Sequence, residues 1–163
     1  MSSTTAARPP RLLQVLGILV IVAGVIVGVA GLITWFVVQD QLADEKITVS
    51  EDADHFAGDP VDGPLTAYSE ANTIEKHALE ASDGLTYAEL PQDDPRRDTV
   101  MTASFLRASL FTSVVSFGVA AFAFGMGITL VLIGVAVLYI HRKLDLTTTE
   151  EVELVASDLA PSG

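Results

Sequence analysis

Side chains capable of chemistry are few in this sequence, and most of them lie between two long apolar runs. There are three histidines, His55, His77 and His141, and no cysteine. Without thiols the sequence excludes disulfides, thiolate-held metals, iron–sulfur clusters and cysteine nucleophiles. Asp52, Asp54, Asp59 and Asp62 suggest a calcium loop, but their spacing departs from the EF-hand pattern and lacks its closing Glu. A solvated acidic loop is the simpler reading. Thr147-Thr148-Thr149-Glu150-Glu151 could accept a phosphoryl group, in a tail whose composition otherwise suits an unstructured acidic segment. A Gly-rich phosphate loop, a Ser/His/Asp set and a cofactor fingerprint are all missing, so no cofactor is expected.

The elements that must position these residues are dominated by the apolar runs. Leu12 to Val38 is twenty-seven residues without a charge, with Gln14 as its one strongly polar side chain. As a helix rising about 1.5 Å per residue it covers about 40 Å, more than the roughly 30 Å hydrocarbon core of a bilayer. Ala108 to Ile140 adds thirty-three uncharged residues, long enough that a helix must tilt or project from the membrane. The spacing therefore predicts an all-α membrane protein, a hairpin of two transmembrane helices carrying a small, mainly helical cap. Its parts are a tail (residues 1–11), a first span (12–38), an acidic cap (39–107), a second span (108–140) and an acidic, unstructured tail (141–163). The first apolar run far exceeds a cleavable signal core, so it reads as an uncleaved signal anchor.

Charge sets the expected orientation and the class of partner. The net charge of −12 comprises +2 before the first span, −11 between Gln39 and Arg107 and −3 from His141 onward. Arg8 and Arg11 precede the first span, and His141, Arg142 and Lys143 close the second. Under the positive-inside rule both termini are cytoplasmic and the cap lies outside the cytoplasmic membrane. A nucleic-acid partner is excluded by the lack of clustered Lys and Arg; cations or basic partners suit the cap better. At the membrane boundaries the sequence places Arg11, Trp35, Phe36, Arg107, Tyr139, Arg142 and Lys143, the aromatic rings as a belt and Arg107 reaching toward headgroups. Neither span holds an ionisable residue between its ends, which argues against an ion pathway within one chain.

Small residues give each span a contact face. Gly17, Gly24, Gly28 and Gly31 fall within roughly 60° at about 100° per residue, and Gly24 to Gly28 matches GxxxG. In the second span Ser113, Ser116, Ala120, Ala123, Gly127 and Gly134 share one stripe, with Gly118, Gly125 and Ala136 on the opposite side. One stripe can meet the first span while the other meets a second molecule, so a homo-oligomer or a complex with another membrane protein is expected. In the cap, Ile47-Thr48-Val49 reads as extended and Ser50 as the N-cap of a helical turn through Phe56. Asp62-Gly63-Pro64 reads as N-cap, loop glycine and Pro at N1. Leu65 to Ala81 is an amphipathic helix ended by Ser82-Asp83-Gly84. A last helix is capped by Asp98 or Thr99.

The runs Ile47 to Ala53, Asp62-Gly63-Pro64, Lys76 to Leu79, Ala81 to Gly84, Thr86 to Leu90 and, most specifically, Met101 to Phe111 resemble a small actinobacterial membrane-protein family. Its members share this length and two spans around an acidic segment, and are often labelled aromatic ring-opening dioxygenase. That label implies a non-haem Fe(II) held by two His and a carboxylate, with open positions for a catechol and oxygen. His55 and His77 would be the histidines, with Asp52, Asp54, Glu75 or Glu80 as third ligand. Neither histidine sits in a ligand motif, and a cap of about 70 residues is near the lower size limit for independent folding. His77, on an acidic helix face, reads instead as solvated or carboxylate-paired. The expected function is thus a non-catalytic accessory or scaffolding subunit. The alternatives are the extradiol dioxygenase of the label and an oligomeric channel with an acidic vestibule.

Overall fold

A computed structural model describes residues 11–158, and its regular structure is helical: α1 (Arg11–Asp44), α2 (Pro64–Ala81) and α3 (Arg97–Asp158). Of the expected N-terminal tail (1–11), residues 1–10 lie outside the described residues, as do residues 159–163, and Arg11 opens α1. α1 and α3 each contain a stretch long and apolar enough to cross a membrane. α1 closes where the amides of Glu45 and Lys46 fold back on Leu42 and Ala43 carbonyls and Lys46 turns left-handed at φ 53°.

α2 is the helix read from the amphipathic pattern, but its N-cap is Gly63, not Asp62. Thr66 Oγ1 accepts the Gly63 amide at 3.2 Å and its hydroxyl donates to the Gly63 carbonyl at 3.1 Å, with Pro64 in the first turn. At the other end Ser82 is fully buried, its hydroxyl within reach of the Ala78 carbonyl at 2.9 Å and the Leu85 carbonyl at 2.6 Å. Gly84, at φ 83°, returns its amide to Leu79 at 2.7 Å. The expected helical turn from Ser50 to Phe56 is instead a series of turns. Glu70 reaches across to this loop and accepts both the Ser50 amide (2.7 Å) and the Ser50 hydroxyl (3.1 Å), so Ser50 anchors the loop to α2 rather than capping a helix of its own.

α3 differs from expectation at both ends. It starts at Arg97 because the amides of Arg97 and Val100 already bond back to Asp94 and Arg96 carbonyls, leaving Asp98 in the first turn. It continues to Asp158, where an unstructured tail was expected from His141. The reason is local: between Ile140 and Asp158 the chain contains no Gly or Pro to stop it.

The chain forms two compact units, one of residues 30–122 and one built from the remaining portions of α1 and α3. The first has a core of Leu42, Val49, Val61, Ala67, Ala71, Leu110 and Phe117, with Trp35, Val38, Ile47, Ile74, Phe111 and Val114 packed around it. Ile47 and Val49 enter it through an isolated antiparallel bridge, Thr48 to Pro60, whose flanking amide bonds run from Val49 to Asp59 and from Val61 to Ile47, both 2.9 Å. Leu110, Phe111, Val114 and Phe117 were read as the start of the second span. The structure uses them as core of the cap-bearing unit. Thirty-three residues make about 50 Å of helix, roughly 20 Å more than a bilayer core requires, and that surplus is available for packing within the protein.

In the second unit the usual burial pattern is inverted. Among its described residues, those classed as buried are Gly17, Gly24, Gly28, Gly127 and Gly134, every one a glycine. Most of the large aliphatic side chains of α1 and α3 in the same unit, from Leu12 and Leu19 to Leu132 and Ile140, point outward, while Ile21, Leu130 and Leu138 are half-buried against the glycines.

Candidate functional site

His77 and His55, the histidines that could have held iron, are placed by α2 and by the loop before it. His77 Nε2 meets Asp52 Oδ2 at 2.7 Å, and Lys76 Nζ lies 3.5 Å from the same oxygen. The hydrogen bond to His77 holds the Asp52 carboxyl below its ordinary range, and the nearby Lys76 charge adds a smaller pull. His77 is thus the carboxylate-paired histidine expected from its helix face. His55 lies on the loop, its ring 6.4 Å from that of Phe56 and its carbonyl accepting the Ser69 hydroxyl at 2.7 Å. Asp52, Asp54 and His55 border a shallow cavity of about 360 Å³ with Tyr68 and Lys76.

Among the described residues, no three His, Asp or Glu side chains converge in a way that could hold a metal ion. The fit to Fe(II) fails on geometry. Asp52 is shared between His77 and Lys76, and Glu75 pairs with Arg107 at 2.7 Å. What these groups do is join segments: 50–56 to α2, and α2 to α3.

Arg107, expected at the membrane boundary, is the residue that pairs with Glu75. Arg107 lies with its guanidinium 5.0 Å from the Phe111 ring, and its Nε is buried without a partner among the described residues. Trp35 likewise turns inward, its ring edge-to-face with Phe117 at 4.8 Å, whereas Phe36 beside it is exposed. At the other boundary Arg11 and Arg142 are exposed, and Lys143 Nζ stands 5.6 Å from the exposed ring of Tyr139.

The small-residue faces are resolved residue by residue. Gly17 abuts Leu138 and Gly134, and Gly24 abuts Gly127, so the contacts between α1 and α3 pair early with late residues. Gly31, Ala120 and Gly134 are buried, while Ser113, Ser116 and Ala123 are half-buried. The opposite stripe is open: a methyl added at Gly118 or Gly125 would meet nothing within 4 Å, and Ala136 is exposed.

Sequence reasoning missed the clamp that returns the chain from α2 to α3. Arg96 donates from Nη1 to Asp83 at 2.7 Å and from Nη2 to Asp94 at 2.8 Å, and its amide donates to Asp94 Oδ1 at 2.8 Å. Arg97 Nη1 reaches the carbonyls of Leu90 (2.5 Å) and Tyr87 (3.1 Å), with the guanidinium 4.1 Å from the Tyr87 ring. The only signal was two arginines, Arg96 and Arg97, following two aspartates, Asp93 and Asp94, in sequence. The Arg96 side chain, and then its amide, lower the Asp94 carboxyl from 3.8 to about 2. The folded state therefore holds that proton more weakly than the unfolded chain does. The clamp's contribution is complete above the ordinary carboxylate range and disappears as pH falls through about 2. NMR titration of the Asp94 carboxyl should show this depressed midpoint, with the Arg96 amide losing exchange protection over the same window. Arg96→Gln, which keeps the backbone amide, should raise the Asp94 midpoint part of the way toward the ordinary range; an unchanged midpoint would refute the clamp.

Compared with protein-family models, curated proteins and solved structures, the chain matches none of them.

Proposed function

We propose that this chain is a two-span protein of the cytoplasmic membrane that serves as an accessory or scaffolding subunit, without catalysis of its own. In this reading α1 and α3 cross the bilayer as a helical hairpin, both termini are cytoplasmic and the cap is extracytoplasmic. The observation that carries it is the inverted burial pattern: the fully buried positions of the α1–α3 seam are glycines, while most of the Leu, Ile and Val side chains around them face outward. A helix buried in a water-soluble core hides its large apolar side chains. In lipid, where apolar surface gains little by leaving the solvent, small residues meet so that backbones approach closely.

The open stripe of Gly118, Gly125 and Ala136 supplies a face for a second membrane helix, either of another copy or of a different protein. The cap, tied together by ion pairs around Asp52, Glu75 and Arg96, supplies a preformed acidic surface. The dioxygenase implied by the family resemblance finds no converging ligand set among the described residues, and a channel finds no ionisable group along either span.

Affinity purification of the full chain in a mild detergent tests this reading. The expected result is a complex, with copies of itself or with a companion membrane protein, that dissociates when Gly118 and Gly125 are both replaced by Leu. A chain that sediments as a lone monomer, or a preparation that turns over a catechol and loses the activity on His77→Ala, would overturn it.

A further inference from the structure

We infer that the groove between the N-terminal turns of α1 and the 135–142 stretch of α3 binds one membrane phospholipid with an anionic headgroup. The inference rests on the membrane reading above and adds a ligand to it. The groove has a volume of about 450 Å³, within the size range of small-molecule sites. Its floor is apolar, formed by Ile18, Val135 and Leu138, and its mouth is polar, formed by Gln14, His141 and Arg142.

Three observations select the ligand. First, among the described residues no carboxylate lines the groove, in a chain with 21 acidic residues and 9 basic ones, so a cation is the wrong guest. Second, the mouth offers the hydrogen-bonding side chains of Gln14 and His141, which suit the oxygens of a headgroup. Third, Arg142 is an exposed cation on the groove's rim, and the guanidinium fork matches phosphate oxygens. Arg11, in the first turn of α1, and Lys143, next to Arg142 in sequence, add positive charge. An apolar floor continuous with a cationic, hydrogen-bonding mouth matches an acyl chain joined to a phosphate. A free phosphate would leave the floor unfilled.

The test uses the full chain reconstituted into nanodiscs of phosphatidylcholine and phosphatidylglycerol, then released into detergent for native mass spectrometry. One phosphatidylglycerol should be retained in preference to phosphatidylcholine. Arg142→Gln should reduce that preference about fivefold, the factor expected for one basic residue at an anionic surface. Val135→Trp, which fills the floor, should reduce retention while leaving helical content unchanged, and Lys76→Gln in the cap should have no effect. Equal retention of both lipids, or a preference that survives Arg142→Gln, would overturn the inference. Displacement of the retained lipid by inorganic phosphate would also overturn it, by assigning the site to the free anion. A chain that leaves membranes in alkaline carbonate refutes the membrane reading itself. One that stays but shows no headgroup preference refutes only the lipid site.

Discussion

Gly127→Ala is expected to destabilise the α1–α3 seam by about 1–3 kcal/mol, the usual cost of forcing an extra methyl into a packed interface. A Cβ at Gly127 would stand 2.6 Å from the Gly24 carbonyl oxygen and from the backbone nitrogen and Cα of Gly28. All three are main-chain atoms, so no side chain can swing aside and the helices must separate. Gly125 provides the matched control two residues away. Within the chain nothing lies within 4 Å of a methyl placed there, so in the separated chain Gly125→Ala should be neutral or stabilise the helix by up to about 1 kcal/mol. Unfolding of the purified protein in increasing denaturing detergent measures both. Equal midpoints for the two variants would mean that α1 and α3 do not meet through these glycines. Gly127→Leu, with a larger side chain against the same backbone, should abolish the contact.

Phe117→Ala should cost the unit of residues 30–122 about 3–5 kcal/mol, as expected for truncating a buried aromatic ring. Phe117 is 1% exposed and lies in one core with Val49, Val61 and Ala71. Its edge-to-face contact with Trp35 contributes about 0.5–1.5 kcal/mol beyond area burial. The chain has a single tryptophan, so fluorescence reads this contact directly. Phe117→Ala should shift Trp35 emission to longer wavelength and lower the unfolding midpoint followed by the same signal. Phe117→Leu should keep most of the burial and lose the aromatic pairing, giving a smaller drop. An unaltered Trp35 spectrum in both variants would place the indole against lipid or water instead of against Phe117.

These two expectations come from different levels of organisation, and only one was legible in the sequence. The glycine seam could be read from periodicity alone. Gly17, Gly24, Gly28 and Gly31 share a face because a helix repeats every 3.6 residues, and within a long uncharged run few conformations other than a helix satisfy the backbone. The same regularity exposed the second stripe on α3 and the amphipathic face of α2. The Phe117–Trp35 pair was not legible. Hydropathy selects the same residue types for burial in lipid and for burial in protein, so the span reading of Leu110 and Phe117 carried no sign that they pack in a core with Val49 and Val61. Trp35, for the same reason, read as an interfacial ring.

The sequence by itself determined the helical class, the two spanning-length helices, the position of α2 and the glycine stripe along α1, because each follows from local periodicity or from one turn of backbone chemistry. Tertiary structure alone decided the pairings that join distant segments: Glu70 on Ser50, Asp52 on His77, Glu75 on Arg107, Arg96 on Asp83, and Phe117 beneath Trp35. Each couples side chains from different segments of the chain. No propensity or spacing rule carries that information, because a carboxylate's partner is set by which surfaces fold against each other and not by its neighbours in sequence.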